Sequence, residues 1–229
     1  AQLNWAIAGR NEQKLDQVRG ELGVPDLPIV VADSGDADQL SAMARQTRTL
    51  ISTVGPYARY GTPVLEACAN ECTHYCDLTG EAQWMAQVYE RIDPIAKASG
   101  ARLVHCCGFD SVPSDLSVYF LQKHFHERYG RYASRVSGRM GRAAGGVSGG
   151  TVASLMYVAE QASKDTSIRD TVMDPYALYP PGMEKGSDTP DQAGIAWDDD
   201  FGSWTGPFVM AAINTKVVRR SHALAGLPY

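Results

Sequence analysis

The stretch Asn4-Trp-Ala-Ile-Ala-Gly-Arg-Asn11 decides how the rest of this sequence is interpreted. A short apolar run that ends in Gly9-Arg10 is typical of the second strand of a dinucleotide-binding fold. At the end of that strand a carboxylate suits the ribose 2′-hydroxyl of NAD, whereas an arginine suits the additional 2′-phosphate of NADP. Because Arg10 stands in this place and no acidic residue does, the stretch predicts NADP as the cofactor.

Further polar residues follow this strand and the next one. Asn11 and Lys14 could add hydrogen bonds to the same phosphate, and the alternative for them and for Arg10 is a solvated helix start. Asp33 ends the next strand, where a side chain reaches the adenine amino group. Capping of the helix that begins near Asp36 is an equally good interpretation of Asp33.

Strand-like and helical patterns alternate over the first half of the chain. The expected strands lie at 4–9, 28–33, 49–54, 74–78 and 102–106, and the expected helices lie at 11–22, from 36 onward, at 62–70 and at 84–99. This alternation is typical of an α/β fold with a doubly wound parallel sheet, the Rossmann arrangement. This regular alternation of strand and helix patterns ends in the second half of the chain. We therefore place a domain boundary near Tyr129 and expect a second, α+β domain at 130–229.

The sheet predicted for residues 1–129 lacks a strand. No strand, glycine-rich turn and helix for a pyrophosphate precede Asn4. In the strand order 3-2-1-4-5-6 the first strand is central, so the strands near Asn4 and Thr49 flank its place. A long apolar edge is unfavourable when it is left unpaired. We therefore expect that the natural protein begins upstream of Ala1.

The second half is expected to be less regular. A helix is expected from Ser114 to about His126, with Ser114 as its cap, and another at 151–163 after a stretch rich in glycine and serine. The proline-rich remainder predicts surface loops between short strands, ending at 209–218.

Composition excludes several classes of protein. With 21 basic and 26 acidic residues among 229, the net charge of −5 offers no basic field for nucleic acid. No apolar run approaches the roughly 20 residues that cross a bilayer, and no signal region opens the chain, so a cytoplasmic protein is expected. Five cysteines without a Cys-x-x-Cys pair favour reduced core thiols over a zinc site.

Four motifs occur in a characteristic order. They are Gly55-Pro-Tyr-Ala-Arg-Tyr-Gly61, Asp77-Leu-Thr-Gly-Glu81, Cys107-Gly-Phe-Asp-Ser-Val-Pro-Ser-Asp115 and Ser148-Gly-Gly-Thr151. Together they resemble the saccharopine dehydrogenase-like oxidoreductases, and within these the trans-acting enoyl reductase branch. The family's opening Gly-x-x-Gly-x-x-Gly turn and its C-terminal part have no counterpart here. The resemblance implies an NADP-binding domain, followed by an α+β domain that supplies the substrate pocket and often the contacts of a homodimer.

The first two motifs supply candidate site residues at strand ends. In open parallel sheets ligands bind beyond the carboxyl ends of strands, so Val54, Gly55 and Pro56 are expected to line the cofactor. The phenol of Tyr57 could donate a proton to a substrate enolate, or its ring could simply pack.

The second motif places polar groups after the following strand. The carboxylates of Asp77 and Glu81, with Thr79 between them, could orient an amine or the nicotinamide amide. A loop held by its own side-chain hydrogen bonds is the alternative. His105 is interpreted as a satisfied core residue rather than a catalyst.

The last two motifs add candidates for the substrate. Asp110 could be a general acid or a tie between domains. Ser148 and Thr151 introduce a helix whose backbone amides could hold an anionic substrate group, although an ordinary helix cap is an equal alternative.

These residues predict a reductase or dehydrogenase that passes hydride between NADPH and a small or acyl-chain substrate. With an enoyl substrate, Tyr57 or Asp110 would protonate the second carbon. With an amino-acid-derived amine, Asp77 or Glu81 would orient the cationic nitrogen. The other class of function is a non-catalytic relative that keeps the fold for dinucleotide binding or as a scaffold.

Overall fold

Helices and strands alternate through the first part of the chain in a computed structural model, which describes residues 3–141, 146, 148–186 and 191–227. The strands are β1 (Ile7–Gly9), β2 (Ile29–Val31), β3 (Thr49–Ser52), β4 (His74–Asp77), β5 (Leu103–Val104), β6 (Ala196–Asp198) and β7 (Ser203–Thr205). The helices are α1 (Glu12–Glu21), α2 (Ala37–Arg45), α3 (Tyr57–Asn70), α4 (Ala82–Ser99), α5 (Val112–Tyr129), α6 (Gly149–Lys164), α7 (Thr166–Met173) and α8 (Ala211–Leu224).

The strands of the first part form parallel ladders. β1 pairs with β2, and a second ladder has the order β3-β4-β5. β4 and β5 run parallel, with Tyr75 opposite Leu103 and Cys76 opposite Val104. The predicted α/β fold with a parallel Rossmann-type sheet is therefore confirmed. Within the described residues no ladder joins β1 to β3, the two strands that were expected to flank a central one.

Contacts along the chain divide it into two units. One consists of residues 1–76 and 88–104, and the other of residues 77–87 and 105–229. The domain boundary expected near Tyr129 stays a prediction. The second unit also contains the antiparallel hairpin β6-β7, in which Trp197 lies opposite Trp204.

The two helices that follow β1 and β2 begin where the sequence indicates. The Asn11 side chain caps α1 by accepting a hydrogen bond from the Lys14 amide, and Asp36 caps α2 by accepting one from Gln39. Leu40 and Ala44 on α2 are buried, and α2 packs against α3. These caps satisfy amides that have no partner within the helix.

Two helices begin earlier than predicted, and proline explains both errors. α3 begins at Tyr57 rather than Thr62, because the buried residues Tyr57, Gly61 and Leu65 recur one turn apart and their burial outweighs the backbone hydrogen bond that Pro63 removes. α5 begins at Val112, so Ser114 is not its cap. Proline fits the first turn of a helix, where its missing N–H has no intrahelical partner in any case.

The end of the chain was predicted with the wrong element. Residues 211–224 form the helix α8, not the last of a series of short strands. Ile213, Lys216 and Ala223 are buried at helical spacing, and this pattern outweighs the β-branched residues that suggested a strand. No helix in the described ranges has the length and apolar character that crossing a membrane requires.

Candidate functional site

Arg10 lies directly after β1 and is exposed. Its guanidinium forms no hydrogen bond or ion pair with any other described residue. The Oδ1 atom of Asn11 accepts the Lys14 amide at 2.9 Å, so Nδ2 is the atom of Asn11 left to donate. Arg10, Asn11 and the ammonium of Lys14 therefore offer donors that no other described side chain occupies, as an anion site requires.

Asp33 closes the turn that leads into α2. Its Oδ1 accepts the Gly35 amide at 2.8 Å, and its own amide donates to Oε1 of Gln39 at 3.0 Å. The cap of α2 is Asp36 rather than Asp33. These contacts give Asp33 a local role in the turn, and its contact with adenine stays a prediction.

Val54, Gly55 and Pro56 connect β3 to α3. Val54 is exposed, and Pro56 occupies the cap position of α3. The Tyr57 ring is buried in the first turn of that helix, and its phenol donates to the Ser52 carbonyl at 3.1 Å. This geometry favours the packing alternative for Tyr57, and its role as a proton donor stays a prediction.

The turn after β4 is held by its own side chains. Oδ1 of Asp77 accepts the Thr79 amide at 3.1 Å, and Oγ1 of Thr79 accepts the Glu81 amide at 3.1 Å. All three residues are buried. The structure thus brings three of the predicted site residues together, in the hydrogen-bonded loop that was the alternative interpretation.

Asp77, Thr79 and Glu81 form a buried polar cluster, and His105 also belongs to it. The sequence did not connect His105 with these three residues. Its Nδ1 lies 2.7 Å from Oδ2 of Asp77, and the two side chains are 3% and 0% exposed. The Trp84 ring and the imidazole form a T-shaped contact, with ring centroids 5.0 Å apart. His105 was predicted to be a core residue. Its partner is visible only from the pairing of the strands, because Asp77 follows Cys76 and His105 follows Val104, and Cys76 lies opposite Val104.

The same cluster extends to α6. Oε1 of Glu81 accepts a hydrogen bond from Ser154 at 2.9 Å. Two residues later, the Gln83 amide donates to Gln161 at 3.4 Å. Oε1 of Gln83 is buried and has no hydrogen-bond partner among the described residues. The start of α4 and one side of α6 are therefore joined by polar contacts.

A buried thiol completes the cluster. The Cys106 Sγ donates to the Thr79 carbonyl at 3.1 Å, and the Cys106 amide donates to Oδ1 of Asp77 at 3.1 Å. Burial, assisted by the negative charge of Asp77, raises the pKa of the Cys106 thiol well above its usual range. The thiol therefore stays protonated and acts as a donor. No group of three metal-ligating side chains suited to an ion is present in the part of the chain that the structure describes.

The remaining candidates lie outside this cluster. Ser148 caps α6 by accepting the Thr151 amide at 3.1 Å, which is the ordinary capping alternative. Asp110 is exposed, and its carboxylate has no partner in the described ranges. The Asp110 carbonyl accepts a hydrogen bond from Asn214 on α8 at 2.8 Å. The roles of Asp110, Ser148 and Thr151 toward a substrate stay predictions.

The first part of the chain is similar to a known family of domains. Residues 1–104 match the family model described as the saccharopine dehydrogenase NADP binding domain. The match covers a little under half of the 229 residues and is a similarity to that domain. The predicted resemblance and the expectation of NADP as the cofactor are both confirmed at this level. Arg10 is exposed after β1 and has no hydrogen-bond or ion-pair partner among the residues that the structure describes, which fits the additional phosphate of NADP.

Curated relatives match almost the whole chain. A putative trans-acting enoyl reductase of Mycobacterium tuberculosis (strain H37Rv) is 41% identical over 232 residues, which cover 98% of this chain and 55% of that protein. Trans-acting enoyl reductases of Mycobacterium leprae and Mycobacterium ulcerans are 39% and 37% identical, with 98% of this chain and 56% of each relative covered. The chain thus spans little more than half the length of these relatives.

Proposed function

We propose that this protein is an NADP-dependent oxidoreductase that reduces an enoyl or related acyl-chain substrate. The observation that carries the proposal is the NADP-binding domain at residues 1–104, with Arg10 at the end of β1. The names of the relatives, which are trans-acting enoyl reductases at 37–41% identity, support the substrate class.

Residues of the first unit would bind the cofactor. Arg10, with Asn11 and Lys14, would hold the 2′-phosphate through charge-assisted hydrogen bonds. The exposed Val54 and the following Gly55-Pro56 would contact the nucleotide where β3 ends. When bound, NADPH supplies the hydride, and the chain's contribution is to align the substrate and provide a proton.

An amino-acid-derived amine is the other substrate class that the sequence suggests. In that reaction Asp77 or Glu81 would have to face a cationic nitrogen. Both carboxylates are buried and already accept hydrogen bonds, Asp77 from two backbone amides and Glu81 from Ser154. A substrate amine would therefore have to compete with hydrogen bonds that these carboxylates already accept. This favours the enoyl substrate.

A substrate screen tests the proposal on the protein expressed from its natural gene. Loss of the reduced nicotinamide absorbance would be followed with enoyl thioesters of graded length, and separately with 2-oxo acids plus amino acids. We expect NADPH oxidation with the enoyl thioesters only. Turnover restricted to the amino-acid pairs would contradict the substrate class, and NADPH binding without any turnover would assign the non-catalytic function.

A further inference from the structure

Helix α5 turns a polar side toward its own chain. It packs against α8, and hydrogen bonds join the two helices. Ser111, at the start of α5, donates to Oδ1 of Asn214 at 3.0 Å, and Ser221 donates to Oδ2 of Asp115 at 2.8 Å. Gln122 is buried on α5 and is polar as well. Both helices belong to the second unit, so this arrangement concerns one unit alone.

Five apolar residues at the start of α5 are exposed instead. Leu116 lies four residues after Val112, and Tyr119 and Phe120 follow Leu116 by three and four, so these residues form one stripe along the helix. The Val112 amide donates to the carbonyl four residues before it at 3.1 Å, so a helical turn precedes α5 and Phe109 extends the stripe. The exposed fractions range from 36% for Val112 to 81% for Phe109. We call these five residues the apolar stripe.

The area of the apolar stripe is typical of an interface. Large apolar and aromatic side chains carry roughly 150–250 Å² each, so the exposed fractions amount to about 600 Å². Monomeric proteins rarely expose contiguous apolar patches of more than a few hundred Å², and larger patches mark interaction sites. In a stable dimer each partner buries about 800 Å², of which a polar rim supplies a part. The stripe with its rim therefore matches the area that one copy contributes to a dimer.

The charges beside the apolar stripe favour a second copy of this chain as its partner. The stripe itself contains no charged residue. Lys123 and Glu127 continue the same side of α5 by further turns, and they carry opposite charges. Such a side selects neither an acidic nor a basic partner, and two copies of it do not repel each other. A contact that uses the same surface on both copies requires this self-complementarity.

We propose that this protein forms a symmetric dimer in which the apolar stripes of two copies pack against each other. The two α5 helices cross at a two-fold axis, so each stripe covers the other, while the polar side of each helix stays on α8. Removal of the exposed aromatic and aliphatic side chains from water drives the association. The interface is independent of the proposed reaction, because neither substrate nor cofactor takes part in it.

Sedimentation velocity of the protein expressed from its natural gene tests the dimer, over about a 100-fold range of concentration. We expect the mass of a dimer for the unchanged protein. In Phe120→Glu a carboxylate would be buried without a partner, so the dissociation constant should rise by about 100-fold or more. Leu121→Glu is the matched control. Leu121 is exposed on another side of the same helix, so the dissociation constant should stay within about three-fold. Circular dichroism checks that both variants keep their helical content.

Cross-linking tests which surface the dimer uses. Cysteine would replace each of the four helical residues of the stripe in turn, in a background with Cys72→Ser and Cys107→Ser, because these two thiols are exposed. Oxygen, as the oxidant, joins two thiols into a disulfide when their Cα atoms lie within about 7 Å of each other. We expect a linked dimer from at least one of the four positions and none from Leu121→Cys.

Three outcomes would overturn the proposal. The first is a monomer at all concentrations, whatever other partner then covers the stripe. The second is an equal loss of the dimer in Phe120→Glu and Leu121→Glu. The third is a dimer that links at none of the four positions, since it would use another surface.

Discussion

At the scale of single residues, Gly108 shows where the backbone leaves no room for a side chain. A Cβ atom built on Gly108 would lie 2.9 Å from Cβ of Leu78. Gly108→Ala is therefore expected to lower the free energy of unfolding by about 1–3 kcal/mol, measured by urea titration. Gly80→Ala is the control, because nothing lies within 4 Å of the added methyl group. Equal stability of the two variants would contradict the close approach.

The five thiols are predicted to differ in reactivity. Cys72 and Cys107 are exposed, whereas Cys68 and Cys106 are buried. Burial raises the pKa of Cys68 from 9.0 to about 12. A raised pKa reduces the thiolate fraction at every pH below it, and the thiolate is the reactive form. In the native protein at pH 8, we expect a thiol reagent to label Cys72 and Cys107 rapidly.

Mass spectrometry of the labelled peptides checks this prediction. Cys68 and Cys106 should be labelled only after denaturation, which returns their pKa to the ordinary value, or as the pH rises toward about 12 for Cys68. Rapid labelling of Cys68 in the folded protein at pH 8 would show that its burial is described incorrectly.

At the scale of elements, α2 begins with a side-chain cap, as its sequence predicts. Oδ1 of Asp36 accepts the Gln39 amide at 3.0 Å. Asp36→Ala should cost about 1 kcal/mol of stability, because the amide loses its partner at the helix start. Asp38→Ala is the control, since Asp38 lies in the first turn of the same helix without capping it. A loss no larger for Asp36 than for Asp38, measured by thermal unfolding, would contradict the capping role.

Elements were predictable where local chemistry and burial agree. Asn11 and Asp36 mark helix starts correctly because their side chains satisfy nearby amides. Thr62 and Ser114 do not, because each stands next to a proline that lies inside the helix rather than before it. Proline is tolerated inside α3 and in the first turn of α5, and which of these applies depends on tertiary burial that no local pattern records.

At the scale of the whole molecule, the sequence predicts the fold class and cofactor family better than the site. Arg10 could be assigned a role because its place after the first strand has a known meaning in this fold. The contact of Asp77 with His105 could not be predicted, because it depends on a strand register between segments 28 residues apart. In the sequence, His105 looks like any histidine in an apolar strand.

The most direct test of the central claim concerns the 2′-phosphate. NADPH and NADH affinities would be measured by calorimetry for the unchanged protein and for Arg10→Ala. The control is Arg48→Ala, which removes another exposed arginine from the same unit at the opposite, amino end of a strand. We expect Arg10→Ala to weaken NADPH about 10-fold or more and to leave NADH nearly unchanged, because only NADPH carries the phosphate. An equal loss for both nucleotides, or no loss for either, would contradict the account.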